Sequence, residues 1–543
     1  MGIKRSTGRF VAPLIIFALL LGTAWTGRAS VAQVDIDPAL HAGEVALIQV
    51  ATGTAWTVAA DLTAAGATEV AAFDSVNIVS ARLSDRALAA IATDRAVLSA
   101  TTDARVSAIG GGRSDGKDLN SFGTSSKKDS LGIDAIGAPT AWSRSTGAGV
   151  VVALMDSGIA AHPDLPSGKI LARANFSGDT SPGLDPAGHG THLAGIIAGK
   201  GAEFRGVAPD ARLVDIRVLD RFGDGSLHTV VAGFDWLLEN RSALGVRVLN
   251  LSLGMTQRST YHDDLLAALA EAAWFSGVAV VAAAGNEGPV PGLIATPGAD
   301  PFIITAGSFD DQGTPSAQDD RESSFSSRGQ TLDGYAKPDV LAPGRRVVSL
   351  RANGSRLELT GLERLDTYAA AGVAEGVNVD LKNNGNGNGN GNRQSDKNNA
   401  NLYIRMSGTS VSSAMVSGVA ALILSVHADY TPTKTKGALV ASGRGLTGSV
   451  SRAVTATTAL TATPRAVNGQ LLPSRLLMTT LENSGVVEGG TNWEGVTWEG
   501  VTWEAVTWEG VSWESVTWES VSWEGVMWET VSWEQSPLLD GER

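Results

Sequence analysis

The chain has 543 residues, a formal charge of −14 and no cysteine, so several domains fit and a disulfide framework is excluded. The charge is uneven: residues 481–543 hold thirteen Asp and Glu against one Arg, or −12, which leaves about −2 for everything before them. No basic surface of the kind that binds nucleic acid is encoded, so no nucleic-acid partner is expected.

Lys4, Arg5 and Arg9 precede an apolar run over residues 10–21, and Ser30-Val31-Ala32 places small residues before Gln33. This is the layout of an export signal over residues 1–32. A retained membrane anchor is the other reading, but the run is short for a span. A secreted or cell-surface protein is therefore expected. Without cysteine it draws its stability from elsewhere, such as packing or bound calcium, and no calcium site is legible.

Residues 33 to about 107 predict a small α+β unit, with strand-like runs at 45–50 and 75–80 and a helix over 83–92 begun by a Ser or Asp cap. The polar stretch from Gly110 to Lys128 predicts an accessible linker. Together, residues 33–128 read as a propeptide or as an accessory domain, and these residues alone do not separate the two.

Val150-Val151-Val152-Ala153-Leu154-Met155 is a continuous β-rich apolar run, as for a buried parallel strand, and it ends on Asp156-Ser157-Gly158. An acid there stands where open α/β sheets place their chemistry; a turn-forming Asp before Gly is the plain alternative. In Gly188-His189-Gly190-Thr191-His192, two histidines enter an Ala/Ile helix. A general base fits them better than a metal pair, because no third histidine or thiolate is near in sequence. Strand-like runs at 246–254 and 278–288 flank an Ala/Leu helix over 263–275. This alternation predicts a doubly wound, mostly parallel α/β sheet. Asn286 ends its run as Asp156 does, where its amide could face a developing oxyanion or simply form a turn. In Gly408-Thr409-Ser410, a serine opens a run of small residues. That suits a nucleophile at a helix N-terminus as well as an ordinary helix cap.

Asp156, His189, Asn286 and Ser410, in this order, make the chain resemble the subtilisin-like serine protease family. Met155-Asp156-Ser157-Gly158-Ile159, residues 188–195, residues 280–288 and Gly408-Thr409-Ser410 are similar to its aspartate, histidine, oxyanion and serine motifs. Residues 206–209, 324–329 and 337–344 are similar to supporting motifs, and the resemblance covers roughly residues 129–445. It implies a secreted serine endopeptidase acting on protein or peptide substrates through a triad of Asp156, His189 and Ser410. Asn286 and the Ser410 N–H would form the oxyanion hole. Ser252, Leu253, Gly254, Ala283, Ala284 and Gly285 would line the substrate cleft, with backbone groups left free to pair with a peptide. No cofactor is required for this chemistry; structural calcium is an expectation without assigned sites. Residues 33 to about 125 look like the propeptide that acts as an intramolecular inhibitor, cut off somewhere between Val106 and Ser130. The peptidase domain would span residues 129–480.

Two departures stand out. Ala414 and Met415 replace the Pro and His common after the serine, which predicts altered packing and intact chemistry. Residues 351–401 form an insertion containing an alternating Asn/Gly stretch at 383–392, which predicts a mobile loop. Over residues 481–543 the acidic tail repeats Trp-Glu pentads, with nine tryptophans five apart from Trp493 to Trp533. Neither a strand nor a helix gives such a period a one-sided stripe. A stacked ribbon and a disordered low-complexity tail both stay open; contact with a cell envelope or a glycan is the expected use of the tryptophans. The competing class of function is an envelope adhesion protein in which the protease fold is only a scaffold.

Overall fold

A computed structural model describes residues 34–109, 130, 132–202, 204–359, 402–469 and 471–477. The expected export signal, the linker from Gly110 to Lys128, residues 360–401 of the insertion and the Trp-rich tail lie outside the described residues.

The N-terminal unit holds β1 (Asp35–Ile36), β2 (Val45–Val50), β3 (Thr68–Phe73), β4 (Ile78–Arg82) and β5 (Val97–Thr102), in the order β1-β5-β2-β4-β3. The alternation in β2 explains its two faces. Ala46, Ile48 and Val50 join a core of the unit's own, with Val58 and Leu62 of helix Ala55–Ala64. Leu47 turns the other way, into the large core of the rest of the chain, because successive strand side chains point to opposite faces. Helix Asp85–Ile91 starts where Ser84 Oγ accepts from the Ala87 N–H at 3.1 Å, the serine cap expected from the sequence. The strand expected at 75–80 begins later. Asp74–Val76 forms a short 3-10 turn and Asn77 takes φ 54°, so pairing starts at Ile78.

After β6 (Arg105–Ala108) the main domain carries β7 (Val151–Asp156), β8 (Ile170–Asn175), β9 (Arg212–Arg217), β10 (Asp224–Ser226), β11 (Val246–Leu251), β12 (Leu253–Thr256), β13 (Ala279–Ala283), β14 (Ala295–Thr296) and β15 (Ile304–Asp310). Its eight-stranded sheet runs β15-β13-β11-β7-β9-β8, with Val340–Pro343 also pairing to β15. All pairings are parallel except that of Arg321–Glu322 with β15. The sheet is therefore mixed, though mostly parallel. Every residue of β7 and β13 is buried, as the unbroken apolar runs require.

Helices Leu227–Leu244 and Leu265–Phe275 pack as one pair, and His189–Ala198 and Thr409–Val426 as another. Thr409–Val426 is long and apolar enough to cross a membrane, but 89% of it is buried in the protein. It is the core helix, packed on β11, β13 and β15. The apolar run at 246–254 divides at Ser252: β11 stays in the main sheet, whereas β12 leaves it to pair with β6 and β14.

Candidate active site

In a parallel sheet the strand ends and the starts of the following helices gather on one edge. Asp156 is the last residue of β7, and His189 and Ser410 lie in the first turns of the two packed helices. Asp156 Oδ1 and Oδ2 lie 2.8 and 3.0 Å from His189 Nδ1. A carboxylate only accepts, so Nδ1 carries the hydrogen and neutral Nε2 is a bare acceptor. Both side chains are buried. Burial pulls the imidazole pKa down. The charge of Asp156, its hydrogen bond and the charge of Asp185 outweigh that effect and leave His189 above its ordinary value.

His189 Nε2 and Ser410 Oγ are both buried and both lack a hydrogen-bond partner. Buried polar atoms without a partner cost stability, and these two, one an acceptor and one a hydroxyl, belong to the first turns of two helices packed on each other. The Ser410 N–H sits in the first helical turn, where no intrahelical acceptor exists. Asn286 Oδ1 accepts from the Thr409 N–H and from Thr409 Oγ1, each at 3.0 Å. Its oxygen is thereby committed, and the amide's Nδ2 hydrogens are the half that can serve a ligand.

His192 has a different part. Its Nε2 lies 3.2 Å from the Val347 carbonyl, and burial with the neighbouring His189 lowers its pKa to about 3. It is a neutral, buried core residue. Among the described residues, no group of three or more His, Asp or Glu is placed to hold a metal ion.

The expected cleft residues divide into two groups. Ser252, Leu253 and Gly254 form one side of a groove that is filled by the chain's own β6. Ser107 pairs with Gly254 and Ala108 with Leu253, and the Ile109 N–H donates to the Ser252 carbonyl at 2.8 Å. A Cβ on Gly254 would come within 2.8 Å of Ile109 Cδ1 and 2.4 Å of the Thr296 carbonyl oxygen, so only glycine admits this approach. At Ala283, Ala284 and Gly285 the expectation of free backbone groups needs correction. Ala284 N–H donates to Ala306 O, Ala284 O accepts from Ala295, and Gly285 O accepts from Ser327. Gly285 N–H donates to Thr409 Oγ1 at 3.1 Å. Ala283 pairs with Ala306 in the sheet. These bonds tie the end of β13 to β15, to Ala295, to Ser327 and to Thr409.

Several positioning residues escaped the sequence reading. The opposite side of the groove is β10 with Gly223: Ser107, Val106 and Arg105 pair with Asp224, Gly225 and Ser226, and the Ala108 N–H donates to Gly223 O at 2.8 Å. Locally Gly223-Asp224-Gly225 looks like a turn, which hides its use as a strand. Asp185 is fully committed around His189. It accepts from Ser157 Oγ and the Gly188 N–H through Oδ1, and from the Thr191 N–H and Oγ1 through Oδ2, at 2.6–2.8 Å. Ser252 Oγ donates to Ser410 O at 3.1 Å and lies 2.7 Å from Ser413 Oγ, while Asn250 Nδ2 donates to Ser252 Oγ. This buried polar network ties the serine helix to β11. Ala414 and Met415 are wholly buried in that helix, with Met415 Cε close to Gly132.

Residues 147–470 match the family described as the Subtilase family. Serine protease AprX of Bacillus subtilis is 36% identical over 300 residues, which span 54% of this chain and 60% of AprX. Subtilisin Savinase of Lederbergia lenta is 35% identical over 246 residues, 45% of this chain and 82% of that protein. In fold, the chain is similar to fervidolysin of Fervidobacterium pennivorans, a keratinolytic enzyme related to subtilisin, with a TM-score of 0.55 and 22% identity over 81% of this chain and 64% of that one. With the matched residues reaching from just before β7 to beyond the serine helix, the chain belongs to the subtilase family.

Proposed function

We propose that the chain is an exported serine endopeptidase made as a zymogen. The observation that carries this is the buried Asp156–His189 pair, whose outward nitrogen, like the Ser410 hydroxyl, has no partner. Ser410 attacks a peptide carbonyl and His189 Nε2 takes its proton, later giving it to the leaving amine. Asp156 holds the tautomer and stabilises the imidazolium. The Ser410 N–H and Asn286 Nδ2 bind the oxyanion. Residues 33 to 109 act as the intramolecular inhibitor. Support comes from β6 in the groove and from Asp103, whose Oδ1 accepts from the His228 N–H at 2.9 Å at the start of helix Leu227–Leu244. Identity to proteins named as serine proteases and subtilisins points the same way. Export follows from the basic and apolar N-terminal sequence. Calcium that stabilises the cysteine-free fold and an envelope or glycan bound by the tryptophans of the tail complete the proposal.

A fluorophosphonate probe tests the central claim. The expected result is labelling of Ser410 together with casein hydrolysis, both only after the N-terminal unit has been removed. A mature protein that neither labels nor digests would overturn it.

The pH profile follows from His189. Only the neutral imidazole accepts the Ser410 proton, so kcat/KM falls as pH drops through the His189 pKa. Because that pKa lies above the ordinary 6.5, the acid limb is expected above 6.5 on a peptide amide substrate. Asp156→Asn removes the largest raising influence. It should move the limb to lower pH and reduce kcat by about 10⁴, the loss seen when a triad aspartate becomes an amide.

A further inference from the structure

We propose that the tail docks on its own chain, one Trp-Glu unit seating its indole in an apolar cavity where the N-terminal unit meets the main domain. The cavity has a volume of about 450 Å³, inside the range of roughly 300–1,000 Å³ usual for ligand sites. Three segments wall it. Val76 comes from the N-terminal unit, Leu265, Ala272 and Phe275 from helix Leu265–Phe275, and Leu476 and Leu477 from the end of the described chain. All six are only half-buried. The helix is apolar almost all round, and such a helix calls for cover on every face. Its inner face lies in the main core, while the stripe at 265, 272 and 275 is covered in part.

The chain is pinned at the lip of this cavity. The Ser474 N–H donates to both oxygens of Glu271, at 3.0 and 2.8 Å, and both residues are wholly buried. Tyr261 Oη donates to Leu472 O at 2.7 Å, and Gln49 Nε2 of the N-terminal unit donates to Leu476 O. These bonds fix where the residues beyond Leu477 set out. Trp493 stands sixteen residues farther on, and eight more tryptophans follow at intervals of five. A stretch of that length reaches up to about 55 Å, ample for a return to the cavity. A tethered unit meets its site at an effective concentration on the order of mM, so weak contacts suffice.

Charge selects the same occupant. Arg241 is the single charged residue on the cavity wall. Its guanidinium donates to the carbonyls of Leu238 and Ser276 and to no carboxylate among the described residues, and its five N–H groups leave donors for one. Each of the nine tail tryptophans is followed by a glutamate. An indole with about 150–250 Å² to bury and a carboxylate beside it match the apolar wall and Arg241 together. A site that takes one unit also suits a repeat that neither strand nor helix gathers into one stripe. The seated indole touches both the N-terminal unit and helix Leu265–Phe275, and so adds to the hold between them. The other units stay available to an envelope or glycan.

Because the chain has no cysteine, Ala272→Cys in the full-length Ser410→Ala protein supplies a single thiol on the cavity wall. Its reaction with a maleimide should be about tenfold or more slower than in the same chain with the nine tail tryptophans changed to alanine. Glutamine in place of the nine glutamates that follow them should weaken the protection by about two- to fivefold, the scale of an exposed ion pair. Circular dichroism and melting curves check that the fold is the same in all three chains. Equal rates with and without the tryptophans overturn the proposal. Protection that rises with protein concentration also overturns it, by placing the tail of a second copy in the cavity. So does protection that appears only after cell-envelope material or a glycan is added. Full protection in the glutamine chain removes the part given to Arg241. These readouts do not depend on hydrolysis, so their failure leaves the proposed function standing, and an inactive protein leaves the docking standing.

Discussion

Ser410→Ala is expected to leave the full-length chain uncut and to lower casein and peptide-amide hydrolysis by about 10⁶-fold, the scale recorded when subtilisin itself loses its nucleophile. The fold should survive the change. The Ser410 hydroxyl has no hydrogen-bond partner, and the contacts that seat this helix run through the Ser410 carbonyl to Ser252 and Ser413 and through Thr409 to Asn286 and Gly285. Removing an unpartnered buried hydroxyl takes away a polar group that folding had to desolvate, so the thermal midpoint should hold or rise slightly. Gel electrophoresis of the purified precursor, with its melting curve, reads both results. A mutant that matures and digests like the wild type would sink the assignment of the nucleophile.

Asn286→Ala should lower kcat by about 10²–10³ and leave KM nearly unchanged, since the amide serves an oxygen that becomes negative only as the carbonyl is attacked. The side chain has a second duty, however, because its Oδ1 accepts twice from Thr409. Asn286→Asp separates the two. The carboxylate keeps an acceptor for Thr409 and lacks any donor, while placing negative charge beside the oxyanion. Its melting temperature should stay near that of the wild type, and its kcat should fall at least as far as that of the alanine variant. A kcat close to wild type for Asn286→Asp would move Asn286 from oxyanion binding to mere support of the helix start. Steady-state kinetics on one amide substrate, with paired melting curves, decide it.

How far these sites could be read from the chain depends on the range of the signal. The strand ending at Asp156 was legible because six apolar residues in a row, Val150 to Met155, leave few alternatives to a strand buried on both faces. The serine cap at Ser84 was legible because capping acts over three residues. Asn77 was not foreseen as a break: its left-handed φ is a choice between local minima that neighbouring packing decides. The division of residues 246–254 at Ser252 was equally hidden. Both halves have strand-compatible residues, and only the partner of each, β13 and β7 for one and β6 and β14 for the other, separates them.

The site shows the same boundary. By itself, the sequence determined that Asp156 closes a buried strand and that His189 and Ser410 open helices, since each sits in a short motif whose glycines and apolar flanks dictate local geometry. Asn286, expected at a strand end, instead stands three residues past the end of β13. Only the tertiary structure decided what surrounds them. Asp185 collects four hydrogen bonds about His189, Thr409 fixes which half of the Asn286 amide is free, and Asp224 to Ser226 become a strand only because β6 lies beside them. These are pairings between segments remote in the chain. They rest on backbone groups and short polar side chains that every loop possesses, and such groups acquire a partner only when the fold brings one within about 3 Å.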